Sequence, residues 1–190
     1  DGYGLKHRDA GNKKWGDRIQ QDIAEGAIWA IAEGLADKNR VCIYGGSFGA
    51  YSALMNVILS PDLYRCAVGM AGMYDFETQR KRSDTAKLDM ADDFFKRVFG
   101  EDEQTAIDFS PVYHTNKIQV PIFIAHGGKD ERTPIQHARK LRKGLQDNNV
   151  QFEWMEKKNE GHGFFVEQNR IDFYSALLDF LGKHTSKKDG

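Results

Sequence analysis

The chain has 190 residues, of which 40% are hydrophobic, 12% aromatic and 29% charged. That is enough apolar material for one buried core under a charged surface, and too little length for two domains of ordinary size. Its 27 basic and 28 acidic residues leave a formal net charge of -1, which lacks the positive field of a nucleic-acid binder, and no apolar run approaches the roughly 20 residues that cross a bilayer. Neither nucleic acid nor a membrane is expected as a partner, and a soluble protein is expected, with the choice between a cytoplasmic and a periplasmic compartment left open.

The chain starts at Asp1 rather than at a methionine, and residues 1–16 are glycine-rich, charged and poor in periodic apolar positions. They are expected to be a loop entry within a longer protein. From Asp17 onward, Ile19, Ile23, Ala27, Ile28, Ile31 and Leu35 recur at three- and four-residue steps, the stripe of an amphipathic helix. The run RVCIYG at 40–45 is short, apolar and closed by glycine, as a buried parallel strand is. FGAYSALMNVIL follows Ser47 and stops at Ser60 and Pro61, which fits a helix. Further strands are expected at 66–72, 120–127 and 150–157, and further helices at 135–146 and 170–183, with a frayed tail at 184–190. Between the second and third strands, residues 77–105 carry many charges of both signs, yet Leu88, Phe94, Phe95, Val98 and Phe99 form a helical apolar side. That segment reads as a solvated helical excursion or as a lid. Cys42 and Cys66 stand among apolar residues and read as buried free thiols.

Strands alternating with helices argue for an α/β fold, a mostly parallel sheet flanked by helices, with ligands beyond the carboxyl ends of the strands. Three such ends carry reactive residue types. Gly45-Gly46-Ser47-Phe48-Gly49 matches G-x-S-x-G in the strand-turn-helix context that the motif requires. A serine on so sharp a turn is strained, and Gly45, Gly46 and Gly49 are expected to supply positions where a Cβ would clash. A serine hydroxyl needs a base to remove its proton. Of six histidines, His162 in EGHGF lies in a glycine-flanked loop between the last strand and the last helix and is the candidate; His126 ends an apolar strand, where a structural role is expected. For the acid, Asp130 in HGGKDERTP follows the third strand inside a tight loop shaped by Thr133 and Pro134. Asp75, after the second strand, is the rival. The lone cysteines and scattered histidines show no metal-ligand spacing, so neither a metal nor a cofactor is expected.

At these residues the sequence resembles the catalytic domain of the prolyl oligopeptidase family of serine peptidases, in its acylaminoacyl-peptidase and dipeptidyl-peptidase branches. The resemblance spans nearly the whole chain, through GNKKWGDRIQQDI, RVCIYGGSFGAYSAL, HGGKDERTP and EGHGFFVEQNRIDFYSALLDFL. It implies an α/β-hydrolase fold without its first strands, with Ser47 as nucleophile, Asp130 as orienting acid, His162 as general base and the Phe48 backbone N–H as one oxyanion donor. It also implies hydrolysis of short peptides through an acyl-enzyme, a β-propeller in the parent protein, and a second oxyanion donor outside this chain. Phe48, Tyr51, Tyr74 and Phe164 stand near motif residues and are candidate pocket walls, with a core role as the alternative for each. An esterase on the same scaffold is a second expectation. The third is an impaired fragment that forms a homo-oligomer through an exposed sheet edge.

Overall fold

The computed structural model describes residues 2–186. Four strands, β1 (Cys42–Gly46), β2 (Cys66–Met70), β3 (Ile122–Gly127) and β4 (Phe152–Lys157), form one sheet. Their spatial order is their chain order, and every pairing is parallel. Parallel neighbours need a crossover. Helix α3 (Phe48–Leu59) carries the chain from β1 to β2, and α7 (Gln136–Asp147) carries it from β3 to β4. Ahead of the sheet lie α1 (Leu5–Ala10) and α2 (Arg18–Ala32). The link from β2 to β3 contains α4 (Phe76–Arg82), α5 (Ala91–Phe99) and α6 (Glu103–Asp108), and α8 (Glu167–Thr185) follows β4.

Side chains alternate across a strand, and the two cores divide on that period. Ala67, Ile122 and Ile124 face a core built with α3, α5 and α7, including Leu54, Phe99 and Leu141. Cys66, Val68, Phe123 and Ala125 face the opposite way, onto Phe173, Leu177 and Phe180 of α8. The two inner strands are almost wholly buried, whereas β1 and β4 are partly exposed edges.

Four local expectations are corrected. Residues 1–16 are not all loop: Leu5–Ala10 is helical between Gly4 and Gly11, and the Gly11 N–H closes it on the Arg8 carbonyl. It buries none of its residues, so it lacks the apolar stripe by which a helix is recognised in sequence. Cys42 and Cys66 are not free thiols but a disulfide. The β1–β2 register sets them directly opposite, with Cα atoms 4.7 Å apart, inside the range a bridge spans. In the segment after β2, Phe95, Val98 and Phe99 are sunk in the core, but Leu88 is 62% exposed. Helix α8 continues through Thr185 into the stretch read as a tail, and 187–190 lie outside the described residues.

Candidate active site

Ser47 sits between β1 and α3 with φ 56° and ψ -116°, a left-handed backbone that side chains rarely adopt. The conformation is held by the Ser47 N–H, which donates to the Met70 carbonyl at the end of β2 (2.9 Å), and by close packing beneath it. A Cβ on Gly45 would meet the Gly49 backbone at 2.2 Å, so only glycine fits at Gly45. The other two elbow glycines do not share that requirement. A Cβ on Gly46 would reach only the Met70 carbonyl at 3.9 Å, and one on Gly49 would meet nothing within 4 Å. Gly49 matters here because its backbone is what Gly45 approaches.

The structure brings Ser47, His162 and Asp130 together from three separate strand ends. His162 Nε2 is 2.9 Å from Ser47 Oγ, and its Nδ1 is 2.9 Å from Asp130 Oδ2. A neutral imidazole satisfies both contacts when Nδ1–H donates to the carboxylate and the serine hydroxyl donates to Nε2. The His162 side chain is 32% exposed while the Asp130 side chain is fully buried. Burial would raise the Asp130 carboxyl, but the His126 ring N–H beside it (Nε2 3.4 Å from Oδ2) and hydrogen bonds from His162 and the Thr133 N–H hold it well below the usual carboxylate range. Asp130 is therefore a carboxylate at neutral pH.

Two loops fix these groups. The acid loop zips onto the histidine loop: Gly128 N–H donates to the Lys157 carbonyl at 3.0 Å and Lys129 N–H to the Glu160 carbonyl at 2.8 Å. The contact is so close that a Cβ on Gly127 would fall 2.1 Å from the Gly161 carbonyl oxygen. Glu160, whose side chain had no expected role, accepts from the Phe165 and Val166 N–H groups and from Asn169 Nδ2. The side-chain bond from Asn169 and the Phe165 N–H together keep its carboxyl below the ordinary range. The signal in sequence is a carboxylate just ahead of a helix, where otherwise unpaired N–H groups attract one.

The rival acid, Asp75, is buried elsewhere. It pairs with Lys140 and accepts from Thr78 Oγ1 and the Glu77 N–H. His126 donates from Nε2 to the Thr133 carbonyl at 2.7 Å, a structural contact beneath the acid loop. The Phe48 N–H, at the start of α3 and one residue from Ser47, has no acceptor among the described residues, which leaves it free to donate to a negatively charged oxygen near Ser47. Of the four aromatic pocket candidates, Tyr51, Tyr74 and Phe164 are buried in the core instead. Tyr51 is sandwiched with Phe48 and Phe76, and Tyr74 fills the space left by Gly69 and Gly72. Phe164 packs edge-on to Phe173 on α8. Phe48 does reach a cavity of about 410 Å3, whose walls are part apolar, from Trp15, Ile19 and Phe94, and part charged, from Arg8, Asp9 and Arg97. No group of three or more metal-ligating side chains is found among the described residues, and no helix there is long and apolar enough to cross a membrane.

Comparison with known proteins gives a consistent result. The model of the prolyl oligopeptidase family matches residues 1–188. Dipeptidyl aminopeptidase BIII of Pseudoxanthomonas mexicana is 26% identical over 187 residues, covering 96% of this chain and 27% of that protein. Among solved structures, a puromycin-hydrolyzing peptidase of Mycobacterium tuberculosis superposes with a TM-score of 0.90 at 22% identity, over all of this chain and 29% of that one. The acylaminoacyl peptidase of Pyrococcus horikoshii gives 0.88 at 21% identity, over all of this chain and 32% of that one. The fold is that of the α/β-hydrolases, and the chain spans about a quarter to a third of the length of these proteins.

Proposed function

Because this chain belongs to the prolyl oligopeptidase family, we propose that it is the catalytic part of a serine peptidase, acting on short peptides through Ser47, His162 and Asp130. The observation that carries the reading is the unbroken line from a strained serine hydroxyl through an imidazole to a buried carboxylate, with both contacts at 2.9 Å. His162 Nε2 takes the Ser47 proton as Oγ attacks the substrate carbonyl. Asp130 keeps the proton on Nδ1 and stabilises the imidazolium that forms. The tetrahedral oxyanion rests against the Phe48 N–H at the positive end of α3. His162 then returns its proton to the leaving amine, and water hydrolyses the acyl-enzyme by the same steps in reverse order of roles.

The cavity that Phe48 lines combines the aromatic rings of Trp15 and Phe94 with the charged groups of Arg8, Asp9 and Arg97, and is the candidate for holding part of the substrate. The second oxyanion donor and the far wall of the substrate site are assigned to polypeptide outside these 190 residues. Losing one such donor costs on the order of a hundred- to a thousandfold in turnover, so slow turnover by the chain alone is part of the reading. The test is hydrolysis of aminoacyl anilides measured beside short acyl esters, with Ser47→Ala as blank. Anilide cleavage that disappears in Ser47→Ala supports the proposal. Ester cleavage with no anilide cleavage assigns the chain as an esterase instead.

A further inference from the structure

A fourth residue, Thr133, contacts both Asp130 and His162. The Thr133 N–H donates to Asp130 Oδ1 at 2.9 Å, and the Thr133 carbonyl accepts from His126 Nε2 at 2.7 Å. Its hydroxyl oxygen lies 2.9 Å from Asp130 Oδ2, 2.9 Å from the Ala71 carbonyl and 3.2 Å from His162 Nδ1. Thr133 is buried. Ala71 is itself held in a left-handed conformation at the end of β2, with φ 51°, and its N–H donates to the Ala125 carbonyl of β3 at 2.9 Å.

A hydroxyl has one proton and two lone pairs. The Ala71 carbonyl and the Asp130 carboxylate can only accept, so they compete for that proton. Nδ1 of His162, when protonated, can only donate, and it has Thr133 Oγ1 as a second acceptor beside Asp130 Oδ2. We propose that Thr133 is a positioning residue for His162. Its hydroxyl, anchored between the end of β2 and the carboxylate, turns a lone pair to the Nδ1–H and prevents the ring from swinging off the line to Ser47. The proposal rests on the peptidase reading for its effect on rate, but its geometric content does not.

The experiment compares the protein with its Thr133→Val and Thr133→Ser variants. Valine keeps the shape and removes the hydroxyl; serine keeps the hydroxyl. Proton–nitrogen NMR of the His162 ring follows the Nδ1 proton directly. The native chain and Thr133→Ser should show a sharp downfield Nδ1–H resonance, and Thr133→Val should show it broadened by exchange or lost. Reaction of Ser47 with a fluorophosphonate should be about tenfold slower at saturation in Thr133→Val, with the half-saturating concentration unchanged. Thr133→Ser should recover to within about threefold. An unchanged ring-proton signal and unchanged rate in Thr133→Val overturn the proposal, as does a variant in which only the melting temperature falls. Should Thr133→Val not fold, Thr133→Ala serves in its place. If no form reacts with the probe, the peptidase reading fails, and the ring-proton comparison, which needs no substrate, still decides the role of Thr133.

Discussion

Replacing Gly127 by alanine puts one methyl group between the two loops that carry the acid and the base. Gly127 is the last residue of β3, and its Cβ would lie 2.1 Å from the Gly161 carbonyl oxygen and 2.6 Å from that of Glu160. Both neighbours are backbone atoms, so no side chain can swing aside. Restoring an ordinary 3.4 Å contact from 2.1 Å moves the Gly161 carbonyl by about 1.3 Å, one residue from His162. A displacement of that size, applied to the 2.9 Å Nε2–Oγ contact, takes it to roughly 4 Å, beyond hydrogen-bond reach. Misplacing a catalytic group by an ångström costs about a hundredfold in rate, while overpacking of one methyl costs about 1–3 kcal/mol of stability. The assay is the rate of fluorophosphonate labelling beside thermal unfolding, with Gly182→Ala as control, since a Cβ there meets nothing within 4 Å. Gly127→Ala should fold with a lowered midpoint and label about a hundredfold more slowly, and Gly182→Ala should label at the parent rate, with a midpoint equal to the parent's or raised, because alanine is the better helix former within α8. Labelling of Gly127→Ala at the parent rate would refute the reasoning.

Asp130→Asn should leave the fold intact but lower turnover by about a thousand- to ten-thousandfold, because an amide can present a donor to Nδ1 and favour the wrong tautomer; circular dichroism with kinetics checks both halves. Burial pushes His137 down to about 3 from its ordinary 6.5, and its Nδ1 accepts from the Tyr74 and Asp75 N–H groups as a neutral ring must. Near pH 5 the unfolded chain therefore binds one more proton here than the native state, and stability falls as pH drops from 6.5 toward 3. The contribution is about 1.4 kcal/mol per pH unit. Urea unfolding between pH 4.5 and 6 should show that slope diminished in His137→Gln, and equal slopes in both proteins would contradict it. Reducing the Cys42–Cys66 bridge, which closes a separation of 24 residues, should destabilise the chain by about 3 kcal/mol, read as a lower urea midpoint in reductant.

Three of the strands were legible because each is a short apolar run closed by glycine or polar residues, and β4 because aromatic and charged residues alternate at its start, as on a half-exposed edge. Three of the runs ended at Ser47, Asp130 and His162, so topology alone placed these side chains at one rim. What stayed hidden depends on approach between distant segments. The disulfide follows from register, which brings Cys42 opposite Cys66 and which no local pattern encodes. Helix α1 has no buried face and so left no periodicity. Tyr51 and Tyr74 stand near motif residues in sequence, yet lie beneath the site, where Gly69 and Gly72 leave room for a ring. The hydroxyl contacts of Thr133 and the carboxylate contacts of Glu160 arise only when the acid loop, the histidine loop and α8 meet. Composition shows which residue types are present; it does not show that two loops are pressed together closely enough to exclude a methyl group.

The claim that the imidazole makes this serine reactive is tested most directly by mapping a fluorophosphonate adduct on the 190-residue chain with mass spectrometry. The account predicts one adduct per chain on the Ser47 peptide, absent in Ser47→Ala and formed at least a hundredfold more slowly in His162→Ala. An adduct on any other residue, or equal labelling of Ser47 without His162, would contradict it.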